Sequence, residues 1–363
     1  MSSTTFVDQV TPVPASWLND VNTATYTSSS VPSLTALTSV NGGQLAGLRN
    51  RIINGDMRID QRNNGSAYTN TNTQPYGVDR WQCLPPVSAP GKLSTQQVID
   101  GPAGFKYSTK ITVLATYAPA ATDAFNFRQT IEGQATYDFQ LGTIGSKTVT
   151  GSVWVKGSVA GNYNCFLFDV TANRSFVGVV AVTNSWAQQS VVFTPVTGAT
   201  FDSSTGAGLQ FGIDLGSGAN LVTTPGIWQV GVLTRSASTV TFVSQTVGAT
   251  LNVTGFQLEL GSVATPFEQR PYGLELALCQ RYYEILPNIQ FVAYSSSGNY
   301  IGQTHPFKVT KRAVPTVSGT SSYANTSGMS TTPSIDGIYT IALVTALGAA
   351  SWQYTNVSAS AEL

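Results

Sequence analysis

The stretch Leu209-Gln210-Phe211-Gly212-Ile213-Asp214-Leu215 alternates apolar with polar or small residues without a slip. Successive strand side chains point to opposite faces, so such a segment buries one face and wets the other. The same habit recurs along the chain. Val149, Val153 and Val155 share one parity, and Trp154 takes the other. Tyr163-Asn164-Cys165-Phe166-Leu167-Phe168 is apolar on nearly both faces, as the central strand of a sandwich would be. Between 251 and 260 the phase changes: Leu251 and Val253 are odd, whereas Phe256, Leu258 and Leu260 are even. A bulge at Thr254-Gly255 is expected to absorb the extra residue. Short strands separated by Gly-, Asn- and Ser-rich turns over residues 49–271 predict an all-β chain built on a jelly-roll β-sandwich.

The flanks differ. Residues 1–48 are rich in Ser and Thr with few apolar anchors, and cannot bury enough surface for a core of their own. They read as an extended arm and linker. Within the arm, Pro14 to Asn22 is an island: Ser16 suits a helix cap, and Leu18, Val21 and Tyr26 fall near one side. A helix of about 10 residues is marginal alone in water, so the Trp17-Leu18 pair is expected to dock on a partner. After the sandwich, Phe267 to Glu284 carries the clearest helical signal. Pro271 suits a helix start, and Leu274, Leu278, Tyr282 and Ile285 make one stripe that Pro287 ends. One short connecting helix over 272–287, packed on the side of the sandwich, is expected. Residues 288–363 return to strand patterns, with candidates at Gln290 to Tyr294, Tyr300 to Thr310, Thr316 to Gly319, Gly337 to Leu347 and Ser351 to Ser358. They predict a small C-terminal β domain. The longest apolar stretch, Ile341 to Trp352, reads as buried strand.

Composition excludes several functions. Charged residues make up 10% of the 363, and formal net charge is zero. A sequence-independent phosphate binder needs a basic surface, so nucleic acid is not an expected partner. No apolar run reaches the ~18 residues of a membrane span, and the N-terminus lacks the charged and apolar regions of a secretory signal. Cys83, Cys165 and Cys279 fit neither a disulfide framework nor a metal site, and read as small buried hydrophobes made in a reducing cytoplasm.

Chemistry is hard to find. His305 is the single histidine, so a His-rich metal site within one chain is impossible, and no Gly-x-Ser-x-Gly elbow accompanies it. Glycoside cleavage usually needs two carboxylates about 5–10 Å apart. Glu132, Asp138, Asp169 and Asp202 are isolated in sequence, although folding could still pair them. No nucleotide loop, dinucleotide fingerprint or EF-hand spacing occurs, so no cofactor, metal or catalytic residue is assigned. Aromatics remain. Trp and Tyr faces stack on sugars while amides and carboxylates bond hydroxyls. Trp154, Trp228 and Trp352 lie in strand-like segments, where most aromatics are core, and no glycan-binding residue is assigned.

Three segments resemble bacteriophage tail proteins. Thr5 to Thr11, with Trp17-Leu18-Asn19-Asp20-Val21-Asn22, is similar to the N-terminal segment that fastens podovirus-type tail fibres and tailspikes to the particle. Arg51-Ile52-Ile53-Asn54-Gly55-Asp56-Met57-Arg58-Ile59-Asp60-Gln61-Arg62, followed by Tyr76-Gly77-Val78-Asp79-Arg80-Trp81, resembles the opening of a jelly-roll module that is itself like carbohydrate-binding modules. Thr254 to Ser262, then Phe267 to Pro271 and Gln280 to Glu284, resembles that module's closing strand and following helix.

The resemblance implies a virion protein, usually a homotrimer, synthesised in the bacterial host cytoplasm. Its arm would dock on other tail proteins through Trp17, Leu18, Val21 and Tyr26. Its β domains would contact host surface polysaccharide. An enzyme is not implied. Two other readings stay open: a structural component such as a tail adaptor, head fibre or decoration protein, and a polysaccharide-degrading tailspike-like hydrolase.

Overall fold

The computed structural model describes residues 48–73 and 75–363. Fourteen strands precede the helix: β1 (Tyr68–Thr69), β2 (Gln82–Leu84), β3 (Leu93–Val98), β4 (Ser108–Val113), β5 (Asn126–Glu132), β6 (Val149–Gly157), β7 (Gly161–Asp169), β8 (Arg174–Val182), β9 (Ala187–Phe193), β10 (Ala207–Asp214), β11 (Val222–Thr223), β12 (Trp228–Val230), β13 (Arg235–Ser236) and β14 (Thr250–Leu260). They build two six-stranded sheets, ordered β1-β3-β4-β14-β6-β9 and β12-β8-β7-β10-β5-β2, with β11 and β13 as a small ribbon. The chain crosses repeatedly between the sheets, as a jelly roll does.

One core lies between the two sheets. Leu209, Phe211, Ile213 and Leu215 all enter it, as do Val149, Val153 and Val155. Rings run through it in series. Trp81 stacks on Phe127 at 4.9 Å, Phe211 meets Phe256 edge-on at 5.8 Å, and Phe193 links Phe211 to Phe176 at 6.0 and 5.3 Å. Each such pair adds roughly 0.5–1.5 kcal/mol beyond its area burial. The parity change in β14 is a bulge: its register against β6 shifts between Thr254 and Gln257, and Gly255 has φ +63°. β7 lies between β8 and β10, and its outward Phe166 and Phe168 form a second small cluster with Val177. That explains why this strand is apolar on both faces.

The helix is shorter than its periodicity suggests. α1 spans Tyr272–Gln280, not 272–287. Tyr283–Ile285 is strand β15, paired with Ser358–Ser360. Burial there alternates, with Tyr282 and Glu284 inside and Ile285 outside. The available partner strand satisfies the backbone and overrides the local helical pattern. The stripe is also misplaced: Leu274 is exposed, while Glu275, Cys279 and Gln280 are buried. Glu275 turns inward because its carboxylate accepts the Asn54 backbone N–H and lies 3.4 Å from Arg270.

Six further strands follow: β16 (Ile289–Ser295), β17 (Tyr300–Pro306), β18 (Thr316–Ala324), β19 (Thr326–Pro333), β20 (Gly337–Val344) and β21 (Gly348–Ser360). β21 is flanked by β15 and β16 on one side and β18 on the other, while β17-β20-β19 forms a separate sheet. Their shared core holds Ile289, Ile301, Ile338, Val344, Trp352 and Val357. Ile341 to Trp352 is not one strand. β20 ends at Val344, Leu347 is exposed in the turn, and β21 begins at Gly348. β19, made largely of Ser and Thr, has no apolar pattern to announce it.

Candidate functional site

The residues expected to dock on a partner, Trp17, Leu18, Val21 and Tyr26, lie outside the described residues. The sequence-nominated chemistry does not converge. His305 sits in β17 opposite Ile338, its ring edge-on to Trp352 at 6.2 Å, and burial lowers its pKa. Glu132 is held by Arg281 at 3.0 Å and by the Tyr282 hydroxyl. Those hydrogen bonds outweigh its burial and lower its pKa. Asp138 pairs with Arg51 at 2.6 Å. Asp169 accepts the Ala172 N–H at 3.0 Å, and Asp202 accepts that of Ser204 at 2.7 Å. Burial raises the Asp169 pKa, and Asp202 is near enough to add a small repulsion. Trp352 is core, and Trp228 donates its indole N–H to the Thr194 carbonyl.

The arrangement that the sequence did not reveal lies on the outer face of the first sheet. Its inward positions supply the core, so alternation turns polar partners outward. Register then aligns them. Gln96 of β3 lies opposite Lys110 of β4, Lys110 opposite Asn252 of β14, and Asn252 opposite Lys156 of β6. Trp186, just before β9, extends the row: the Lys156 ammonium lies 5.1 Å from its ring centre. The row crosses five strands, a span of roughly 19 Å at the usual strand spacing.

Asp100, in the loop after β3, stands over this row. Its carboxylate accepts from Lys156 Nζ at 2.8 and 2.9 Å, from Asn252 Nδ2 at 3.3 Å and from Trp186 Nε1 at 3.5 Å. The hub is rooted: Ser108 donates to the Asp100 carbonyl at 2.6 Å, and the Asn252 amide lies 3.4 Å from the Ser108 hydroxyl. Asn252 is buried, but the Asp100 side chain remains 43% exposed and that of Lys156 25%. Asp100, Lys110, Lys156, Asn184 and Asn252 line an open hollow of about 400 Å³. Farther along the same face, Trp154 packs against Phe105 at 6.4 Å, and Phe105 in turn meets Phe267 edge-on at 5.0 Å.

A second polar hollow of about 590 Å³ lies among Arg58, Asp60, Tyr107 and Tyr272. Its charges are already spent locally. Arg58 pairs with Asp56 at 2.9 Å, and the Asp60 carboxylate accepts the Asn63 and Gly65 N–H groups. The first-sheet hollow is the better candidate, because amides and both signs of charge line it together, with the Trp186 ring beside Lys156. Among the described residues no group of His, Cys, Asp and Glu is placed to hold a metal ion, and no helix is long and apolar enough to cross a membrane.

No family model matches the chain, and no curated protein matches it in sequence. Solved structures do resemble it. The enzymatically active domain of bacteriophage CBA120 tailspike protein 4 aligns over 58% of this chain and 21% of its own, at 13% identity and a TM-score of 0.31. The CBM22-1 xylan-binding domain from Paenibacillus barcinonensis aligns over 60% of this chain and all of its own, at 11% identity and 0.27. The family 11 carbohydrate-binding module of a Clostridium thermocellum cellulosomal cellulase aligns over 56% and 98%, at 11% identity and 0.28. The chain thus spans about a fifth of the tailspike structure and nearly all of the two modules.

Proposed function

We propose that this chain is a non-catalytic, glycan-binding β protein of a phage tail fibre, working as a homotrimer in the virion. The observation that carries the glycan reading is the row Gln96–Lys110–Asn252–Lys156–Trp186 under the Asp100 carboxylate. An indole ring offers a stacking face for the apolar side of a sugar. Carboxylate, amide and ammonium groups on rigid strands bond its hydroxyls from fixed positions. Sites for small polar ligands combine these ingredients. Weak binding at each copy suffices, because three linked copies raise avidity by ~10²–10⁴.

The tail-fibre part rests on the sequence resemblance of the arm and of the two jelly-roll segments. In this reading Trp17, Leu18, Val21 and Tyr26 fasten the arm to another tail protein. The test of glycan binding is a panel of bacterial surface polysaccharides probed with the purified full chain, wild type against Trp186→Ala and Asp100→Ala. Binding by the wild type that falls at least tenfold in both variants, with unfolding midpoints unchanged, supports the site. Undiminished binding in both places the sugar elsewhere, and silence across the panel favours the structural-component reading. Release of reducing ends from any panel member would favour the hydrolase.

A further inference from the structure

We infer that the first-sheet hollow selects acidic saccharides, seating a carboxylate of the sugar at Lys110. The inference deepens the glycan-binding reading and rests on it.

The charge balance of the hollow is unequal. Two lysines and one carboxylate line it. Asp100 is committed to Lys156, with both carboxylate oxygens within 2.9 Å of the ammonium. Among the described residues Lys110 has no carboxylate within salt-bridge distance. Its strand neighbours are neutral: Gln96 on one side and Asn252 on the other. A single net positive charge is therefore left at the second position of a row whose other members are amides, a closed ion pair and an indole. A neutral sugar offers that ammonium only hydroxyl oxygens in exchange for some of its water. A uronate carboxylate would meet it directly, forming a charge-assisted hydrogen bond stronger than a neutral one. Trp186 lies three strands away, roughly 14 Å at the usual strand spacing, so a ring farther along the same oligosaccharide can stack there while the acid group rests on Lys110. Lys156 cannot substitute, because taking it from Asp100 would unpair the carboxylate that also orients Asn252 and Trp186.

The experiment titrates the full chain with oligogalacturonate and with the same oligomer after its carboxyl groups are reduced to primary alcohols. The acidic oligomer is expected to bind about tenfold tighter, the scale of one charge-assisted hydrogen bond. That preference should shrink at high salt. Lys110→Met and Lys110→Gln should both erase it, bringing the affinity for the acidic oligomer down to that for the reduced one. Equal binding of the two oligomers, or binding of the reduced one alone, overturns the acidic preference while the glycan reading stands. A preference that survives both Lys110 variants overturns the assignment to this residue. Binding of neither oligomer also overturns the inference, and the glycan reading falls with it only if the polysaccharide panel is silent too.

Discussion

Arg80 is 1% exposed, and its guanidinium meets the carboxylate of Glu362, which returns from beyond β21 to the jelly roll. A second guanidinium nitrogen donates to the Thr130 carbonyl at 2.6 Å, and the group lies 3.4 Å from the Tyr282 ring centre. Arg62 holds the other Glu362 oxygen at 2.8 Å. The two sheet systems are thus joined by a buried charge network, not by apolar contact alone. Replacing Glu362 by Gln leaves Arg80 buried without its counter-charge. The expected loss is about 3–5 kcal/mol, read as a lowered urea midpoint. The paired change Arg80→Met with Glu362→Leu should recover much of it. A change within about 0.5 kcal/mol for Glu362→Gln would mean that water reaches this site.

Gly255 combines a positive φ of +63° with crowding. A Cβ there would lie 2.8 Å from both Phe105 Cζ and Trp154 Cδ1. Gly255→Ala should therefore cost about 1–3 kcal/mol through backbone strain and overpacking. Thermal unfolding measures it, and an unchanged midpoint would mean that the bulge relaxes freely.

Asp79 sets a pH dependence. Burial pushes its carboxyl from 3.8 up to about 7, against the opposing pull of Arg62 and the Gln61 amide. Between those values the unfolded chain has lost the proton and the folded chain retains it. This contribution to stability is therefore full below about pH 4, shrinks as pH rises toward 7, and is flat above. Melting temperature should fall from pH 5 to pH 7, and the slope should weaken in Asp79→Asn. A wild-type melting temperature that rises across this window would contradict the assignment.

The three cysteines should be silent in the native state. All are buried and free, burial pushes the Cys83 and Cys165 thiols up to about 12, and that of Cys279 also rises. Only thiolate reacts with Ellman's reagent. Native protein should show no fast thiol, and three should appear in guanidinium. A fast native thiol would mean that one of these sites opens readily.

On the tail-fibre reading, Trp17→Ala with Leu18→Ala should leave the sheets folded by circular dichroism but remove the protein from purified particles. Normal copy number on the particle would refute anchoring through this pair.

Much of the fold was legible because strand burial has a period of two residues and needs only local sequence. Leu209, Phe211 and Ile213, and the parity slip at Gly255, follow from that period. The failures share one cause. Tyr283 to Ile285 looked helical because nothing nearby in sequence reveals Ser358–Ser360 as its partner. The Ser- and Thr-rich β19 offered no alternation, yet β20 recruits it by backbone hydrogen bonds. Of the outward residues on the face of the candidate site, only Trp154 stands out in the sequence. Lys156 follows it on the same face, a signal that the alternation of β6 already contained.

The sequence alone determined which residues face inward along each strand, that the chain is built from sheets, and that its surface is polar but nearly uncharged. Only the tertiary structure decided that Gln96, Lys110, Asn252, Lys156 and Trp186 form one line, and that Glu362 neutralises Arg80. Alternation is a property of one strand, fixed by backbone geometry. Register and charge pairing depend on which distant strands meet, and that choice belongs to the packed core as a whole.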